Sequence, residues 1–179
     1  MSAPETHGAI SGTISSVEEL VAHARAMEAE AAERYDELAD QMEVHNNHEV
    51  ARLFRKLSEI EAKHVAAVEN MSEGLELPEL KAWEYTWEGE SPETPDIDGV
   101  HYLMTPYHAL SLALHHERQA VEFFDNVIAN SADPKLRETA EHLAEDEREH
   151  VRLLLQWLAK FPQPEDDWDH DPDPPNLQE

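Results

Sequence analysis

The chain has 179 residues, with 40 acidic side chains against 13 Lys and Arg, a net charge of −27 and no cysteine. So acidic a surface repels phosphate backbones and anionic lipid headgroups, and neither nucleic acid nor a membrane is expected as a partner. The lack of cysteine removes disulfides, thiolate zinc sites and cysteine-ligated iron, while the length allows one domain with a sizeable core.

The first residues, MSAPETHGAISGTISS, have neither the basic nor the apolar region of a signal peptide. No apolar run approaches the ~18 residues of a membrane span. The expected location is the cytoplasm, and residues 1–15 are read as a flexible N-terminal segment.

Four helices are predicted next, in a chain poor in Gly and rich in Ala, Leu, Glu and Arg. The first follows SSVEEL, with Ser16 as cap and Glu19 completing a capping box, and runs to about Val44. The second runs from near Asn47 to near Gly74. The third starts at Thr105 and Pro106 and runs to about Asn130; the fourth starts at Asp133 and Pro134 and ends at KFPQP. Short links predict two antiparallel hairpins. The link between them, about residues 75–104, is long enough to cross the length of a bundle, with Trp83, Tyr85 and Trp87 to pin it. The tail, 161–179, is acidic and proline-rich and reads as extended or disordered. The expected fold is therefore all-α, a four-helix bundle over residues 16–160.

The chemistry lies in the phase of the charged residues. Steps of three and four along the fourth helix give Leu136, Ala140, Leu143, Glu147, His150, Leu154, Trp157 and Phe161. The second gives Val50, Phe54, Leu57, Glu61, His64, Val68 and Met71, with the same pair in the same place. The first gives Val17, Val21, Ala24, Glu28, Ala31, Tyr35, Leu38 and Met42, and the third Leu110, Ala113, Glu117, Ala120, Phe124 and Val127. A Glu-x-x-His string is weak evidence alone. Four carboxylates and two imidazoles placed mid-stripe on four helices are not, because a buried charge without a partner is very costly.

The halves also repeat. ARAMEAEAAERYDEL (24–38) overlays ALHHERQAVEFFDNV (113–127), and LSEIEAKHV (57–65) overlays LAEDEREHV (143–151). A pseudo-twofold axis would then gather the six polar residues. One Glu from each of two helices, plus Glu-x-x-His from each of the others, is the carboxylate-bridged two-metal arrangement of helical bundles. Four carboxylates balance two divalent cations, and oxygen donors with one imidazole per ion suit iron or manganese, while zinc also fits.

The motifs EAEAAERY (28–35), EAKH (61–64), ERQAVEFF (117–124) and EREH (147–150) resemble the ferritin-like superfamily, nearest to rubrerythrin-related proteins, over about residues 16–160. The resemblance implies a ferritin-like bundle whose two metal ions, iron foremost, are held by Glu28, Glu61, His64, Glu117, Glu147 and His150, with Glu61 and Glu147 as bridges. It also implies a homodimer. Tyr35 stands two turns from Glu28, either as a hydrogen-bond donor to a carboxylate or as a core tyrosine. Two departures stand out. Rubrerythrins proper add a cysteine-rich rubredoxin domain, and they carry a further Glu where this chain has Ala120. His45, His48, His115, His116 and His142 are read as surface or boundary residues.

Three functions follow. The first is an oxidoreductase that reduces peroxide or dioxygen at the metal pair, with electrons from an external donor or Fe(II). The second is a ferroxidase serving iron handling or storage. The third is a structural bundle stabilised by metal.

Overall fold

The computed structural model describes residues 13–81, 84–87, 91–95 and 100–171. Four helices account for most of them: α1 (Val17–Val44), α2 (His48–Met71), α3 (Pro106–Asn130) and α4 (Pro134–Leu158). Each begins where the sequence supplies a cap. Ser16 Oγ accepts from the Glu19 amide at 3.1 Å, the Asn47 and Asp133 side chains act likewise on α2 and α4, and at the start of α3 the Thr105 amide donates to His108 Nδ1 at 3.1 Å. Such caps contribute on the order of 1 kcal/mol each. The predicted box on α1 is only half formed, because the Glu19 carboxylate accepts from the amide and hydroxyl of Ser15 instead of the Ser16 amide. Gly74 follows α2 at a φ of 82° in the turn that leads away from it.

α1 packs chiefly on α2 and α3 on α4, and contacts of α1 with α4 and of α2 with α3 close the ring. This is the ferritin-like four-helix bundle of two hairpins. Among the described residues no helix is long and apolar enough to cross a membrane.

Most stripe residues are buried; His64, His150, Trp157 and Phe161 are half-buried, and Met71, at the end of α2, is 39 % exposed. The core divides into two apolar clusters. One holds Val17, Val21, Ala24, Val68, Phe123, Phe124, Leu136 and Leu143; the other holds Ala31, Tyr35, Phe54, Leu57, Leu110, Ala113 and Leu154. On all four helices the polar stripe residues fall between the two clusters. The bundle thus has an apolar core at each end and a charged layer across its middle.

The crossover is tied down by aromatic packing. Trp87 is 4 % exposed and meets His23 and Phe123 edge-on, with Tyr85 stacked 4.6 Å from it. His23 is buried with them: its Nδ1–H donates to the Glu19 carbonyl at 2.7 Å, and Nε2 accepts from the Thr86 amide at 3.3 Å. Trp83 lies outside the described residues. The tail does not stand free over its described part. Trp168 packs on His108 with centroids 3.7 Å apart, and the Tyr102 hydroxyl donates to Asp171 at 2.6 Å. Composition gave no sign of this docking, which rests on one aromatic ring amid acidic residues.

Candidate metal centre

All six residues picked out by the stripes meet in the middle layer. Glu28, Glu61, Glu117 and Glu147 are 4 %, 1 %, 3 % and 1 % exposed. Each hairpin assembles its own half. In the first, His64 Nδ1 lies 3.0 Å from Glu61 Oε2 and 3.5 Å from Glu28 Oε2. In the second, His150 Nδ1 lies 2.8 Å from Glu147 Oε2 and 3.3 Å from Glu117 Oε2. The pseudo-twofold relation in the sequence is thus repeated atom for atom. The halves face one another through the two imidazoles.

A seventh residue stands among them that the stripes do not contain. Glu93, from the crossover, is 1 % exposed. Its carboxylate lies within 4.8 Å of ligand atoms of Glu28 and Glu147, and also of Glu61 and Glu117. Periodicity cannot reveal a loop residue. The only signal is the proline bracket SPETP (91–95), a stiff turn with one acid at its centre. The backbone on both sides of that acid is held. His116 Nδ1–H donates to the Pro92 carbonyl at 3.1 Å, Arg34 donates to the Pro95 carbonyl at 2.6 Å, and the Thr94 amide closes a turn on Ser91 at 3.0 Å. His116, expected at the surface or boundary, is 7 % exposed. His45, His48, His115 and His142 are exposed.

The electrostatics are those of a cation site. Burial, followed by the charges of neighbouring carboxylates, pushes Glu93 well above the ordinary carboxylate range; burial does the same to Glu28, partly offset by the nearby His64 imidazole. Burial pushes Glu117 up to about 8. Burial would lower both imidazoles, but the close carboxylates of Glu28 and Glu61 raise His64 to about 9, and those of Glu117 and Glu147 raise His150 to about 11. Even so, many lone pairs stay unused. Oε2 of Glu28, Glu117 and Glu147, both oxygens of Glu93 and Nδ1 of His150 are buried without a properly aligned hydrogen bond. His150 Nδ1 and Glu147 Oε2 are close yet misaligned, as when two donors aim at a common point instead of at each other. Leaving such groups unmet costs several kcal/mol in total, and oxygen and imidazole lone pairs converging at this spacing suit transition-metal ions. Four triplets have ligand atoms mutually within 4.8 Å: Glu61–His64–His150, Glu117–Glu147–His150, Glu28–Glu93–Glu147 and Glu61–Glu93–Glu117. The residues therefore fit a two-metal centre.

A cavity of about 290 Å³ opens onto this layer from the side of α2 and α4. Its inner wall is Glu28, His64, Glu147 and His150, and the exposed Asp146 and Glu149 flank it farther out. It can admit small molecules or hydrated cations. Tyr35 is 1 % exposed and stacks on Phe54 at 6.0 Å. Burial, then the charges of Glu117, Glu61 and Glu93, holds its hydroxyl protonated. Among the described residues, no hydrogen bond joins that hydroxyl to a carboxylate of the cluster.

Comparison with known proteins agrees with this geometry. The family model described as Rubrerythrin matches residues 19–158. None of the curated proteins matches. Among solved structures, an uncharacterised conserved protein from Magnetospirillum magnetotacticum MS-1 is 42 % identical, covering 84 % of this chain and 99 % of its own, with a TM-score of 0.64. KatB, a manganese catalase from Anabaena, is 15 % identical and shares the fold, covering 100 % of this chain and 87 % of its own, with a TM-score of 0.50.

Proposed function

The chain belongs to the rubrerythrin family, and from that premise we propose that it is a di-iron carboxylate oxidoreductase acting on peroxide or dioxygen. The observation that supports this most is the middle layer itself, where each hairpin contributes two carboxylates and one imidazole with lone pairs left over. Glu28, Glu61 and His64 would hold one ion and Glu117, Glu147 and His150 the other, and Glu61 and Glu147 are the residues that would be shared.

When bound, the two ions supply redox electrons and Lewis acidity to an oxygen species. The protein's part is to hold and to exclude. Apolar clusters above and below the layer keep bulk water out along the bundle axis, and in so dry a site each charge interaction is stronger than in water. The lateral cavity leaves one side open to a small oxidant. His64 and His150 must give up the protons they hold at Nδ1 before they can donate to a cation, and the nearby carboxylates are positioned to take protons up again as charge changes.

Manganese would satisfy the same donors. Iron is proposed for its redox chemistry, since zinc would fill the site without it. This sequence has no cysteine to carry electrons, and a separate donor or Fe(II) is the source proposed here. The acidic residues beside the cavity favour a second reading, a ferroxidase that handles iron, because Asp146 and Glu149 would draw cations inward.

One experiment separates the two. Protein loaded anaerobically with Fe(II) is mixed with peroxide or dioxygen in a stopped-flow instrument. Oxidation sustained by an added electron-transfer protein supports the oxidoreductase. Turnover that proceeds only with fresh Fe(II) and accumulates ferric iron supports the ferroxidase. No oxidation of loaded protein by either oxidant contradicts both.

A further inference from the structure

Glu93 is the only member of the buried carboxylate layer, among the described residues, that no helix supplies. A carboxylate 1 % exposed should be met by a cation or by several N–H donors, yet neither of its oxygens has a hydrogen-bond partner. The imidazoles of the layer pair with the helical carboxylates instead. Glu93 is not a stray loop residue, because the carbonyls of Pro92 and Pro95 on either side of it are captured by His116 and Arg34. Those two residues adjoin Glu117 and Tyr35 in sequence, so the crossover is fastened to α3 beside a residue of the site and to α1 within two turns of Glu28. The carboxylate also sits astride the pseudo-twofold axis: it neighbours one Glu from each hairpin in the pair Glu28 and Glu147, and again in Glu61 and Glu117.

We propose that Glu93 is a metal ligand delivered by the crossover, so that filling the metal site and fastening the crossover over it are one linked event. This rests on the two-metal reading. It raises the carboxylates in the layer from four to five, so that two divalent ions leave one negative charge over and a divalent–trivalent pair leaves none. Without an ion, this buried side chain has no partner for either of its oxygens. The ion removes that penalty, and the free energy it supplies is shared by the segment 91–95. By linkage, metal binding then slows opening of the crossover, and any loosening of the crossover weakens metal binding to the same degree.

The test uses Co(II), which is spectroscopically visible and need not turn over. Metal-free wild-type protein is titrated with Co(II), and hydrogen exchange is followed in a peptide spanning residues 91–95. The wild type should take up two ions per chain, and loading should slow exchange in that peptide. Glu93→Gln keeps the shape of the side chain. It should bind at least one ion at least about tenfold more weakly, the scale on which even outer partners of a metal ligand act. Its Co(II) absorption should change, and exchange in the 91–95 peptide should no longer respond to metal. Glu93→Asp, which retains the charge one methylene short, should recover part of the affinity, and it carries the test if the Gln variant fails to fold by circular dichroism. A folded Glu93→Gln protein with wild-type affinity, spectrum and metal-dependent protection would overturn the role of Glu93 alone. Wild-type protein that takes up no Co(II) would overturn the two-metal reading and this inference with it.

Discussion

The imidazoles of His64 and His150 lie face to face, with centroids 4.0 Å apart and planes 9° from parallel, although they come from different hairpins. Two rings that both carry protons repel at this distance. They stay together because each Nδ1 sits against two carboxylates. The ring spacing also matches the ~3.5–4 Å that separates the ions of two-metal sites. Cations would thus replace protons at the same two atoms. With His64 raised to about 9 and His150 to about 11, both rings are protonated at neutral pH in metal-free protein. Loading metal at about pH 7 should therefore release about two protons per chain from the imidazoles, with more from any carboxylate that held one. A weakly buffered indicator titration measures this, and uptake without proton release would place the ions elsewhere.

The same groups set the pH dependence of the metal-free fold. On unfolding, the imidazoles return to about 6.5 and Glu117 to about 4.3. Folded protein therefore binds more protons than unfolded protein across the neutral range, and stability falls as pH rises. The contribution of His64 is complete below about 6.5 and is lost as pH rises through about 9; that of His150 is lost through about 11. The penalty on burying Glu117 grows up to about 8. His23, lowered by burial, opposes this trend at the acid end of the range, because its unfolded imidazole takes up protons near 6.5 more readily than the folded one. The melting temperature of metal-free protein should fall from about pH 6 to about pH 9, and that of loaded protein should fall much less. Parallel curves would contradict the exchange of protons for metal.

Glu147 is central to the second half-site and 1 % exposed. Ions present at about a thousandfold their dissociation constant stabilise the wild type by ~4 kcal/mol. Glu147→Ala should lose most of that gain, because it removes two carboxylate oxygens and leaves His150 one carboxylate fewer. The comparison is a thermal melt of each protein with and without Fe(II) under anaerobic conditions. An undiminished shift in the variant would mean that the metal binds outside this layer, on the acidic tail for instance.

Tyr35→Phe separates the two roles open to that residue. The ring packs on Phe54 and the variant keeps it. No carboxylate of the cluster accepts from the hydroxyl among the described residues, so its removal should change stability by less than about 1 kcal/mol and leave the metal count intact. A loss of about tenfold or more in metal affinity, the effect of removing a true outer partner, would show that the hydroxyl supports a ligand in loaded protein.

The helices and six of the seven clustered side chains were legible because a helix advertises its inner face. Glu28 and Glu117 interrupt apolar stripes at matching heights, and the Glu61–His64 and Glu147–His150 pairs repeat at one spacing. Glu93 has no such frame. Its burial depends on where thirty-odd residues of crossover lie on the bundle, which is decided by remote contacts: Trp87 against His23 and Phe123, His116 to Pro92, Arg34 to Pro95. His116 was misplaced for the same reason, since one step from Glu117 it faces the crossover, whose position no helical period records. Ala120 tells the converse. It supplies no carboxylate to this layer, and the additional carboxylate comes from the crossover.

The most direct measurement of the central claim is metal stoichiometry with location. Protein saturated with Fe(II) without oxygen is subjected to elemental analysis, and a crystal of it to anomalous scattering at the iron edge. The account predicts two ions per chain in the middle layer, one beside His64 and one beside His150. One ion or none after saturation, or anomalous peaks away from those imidazoles, would contradict it.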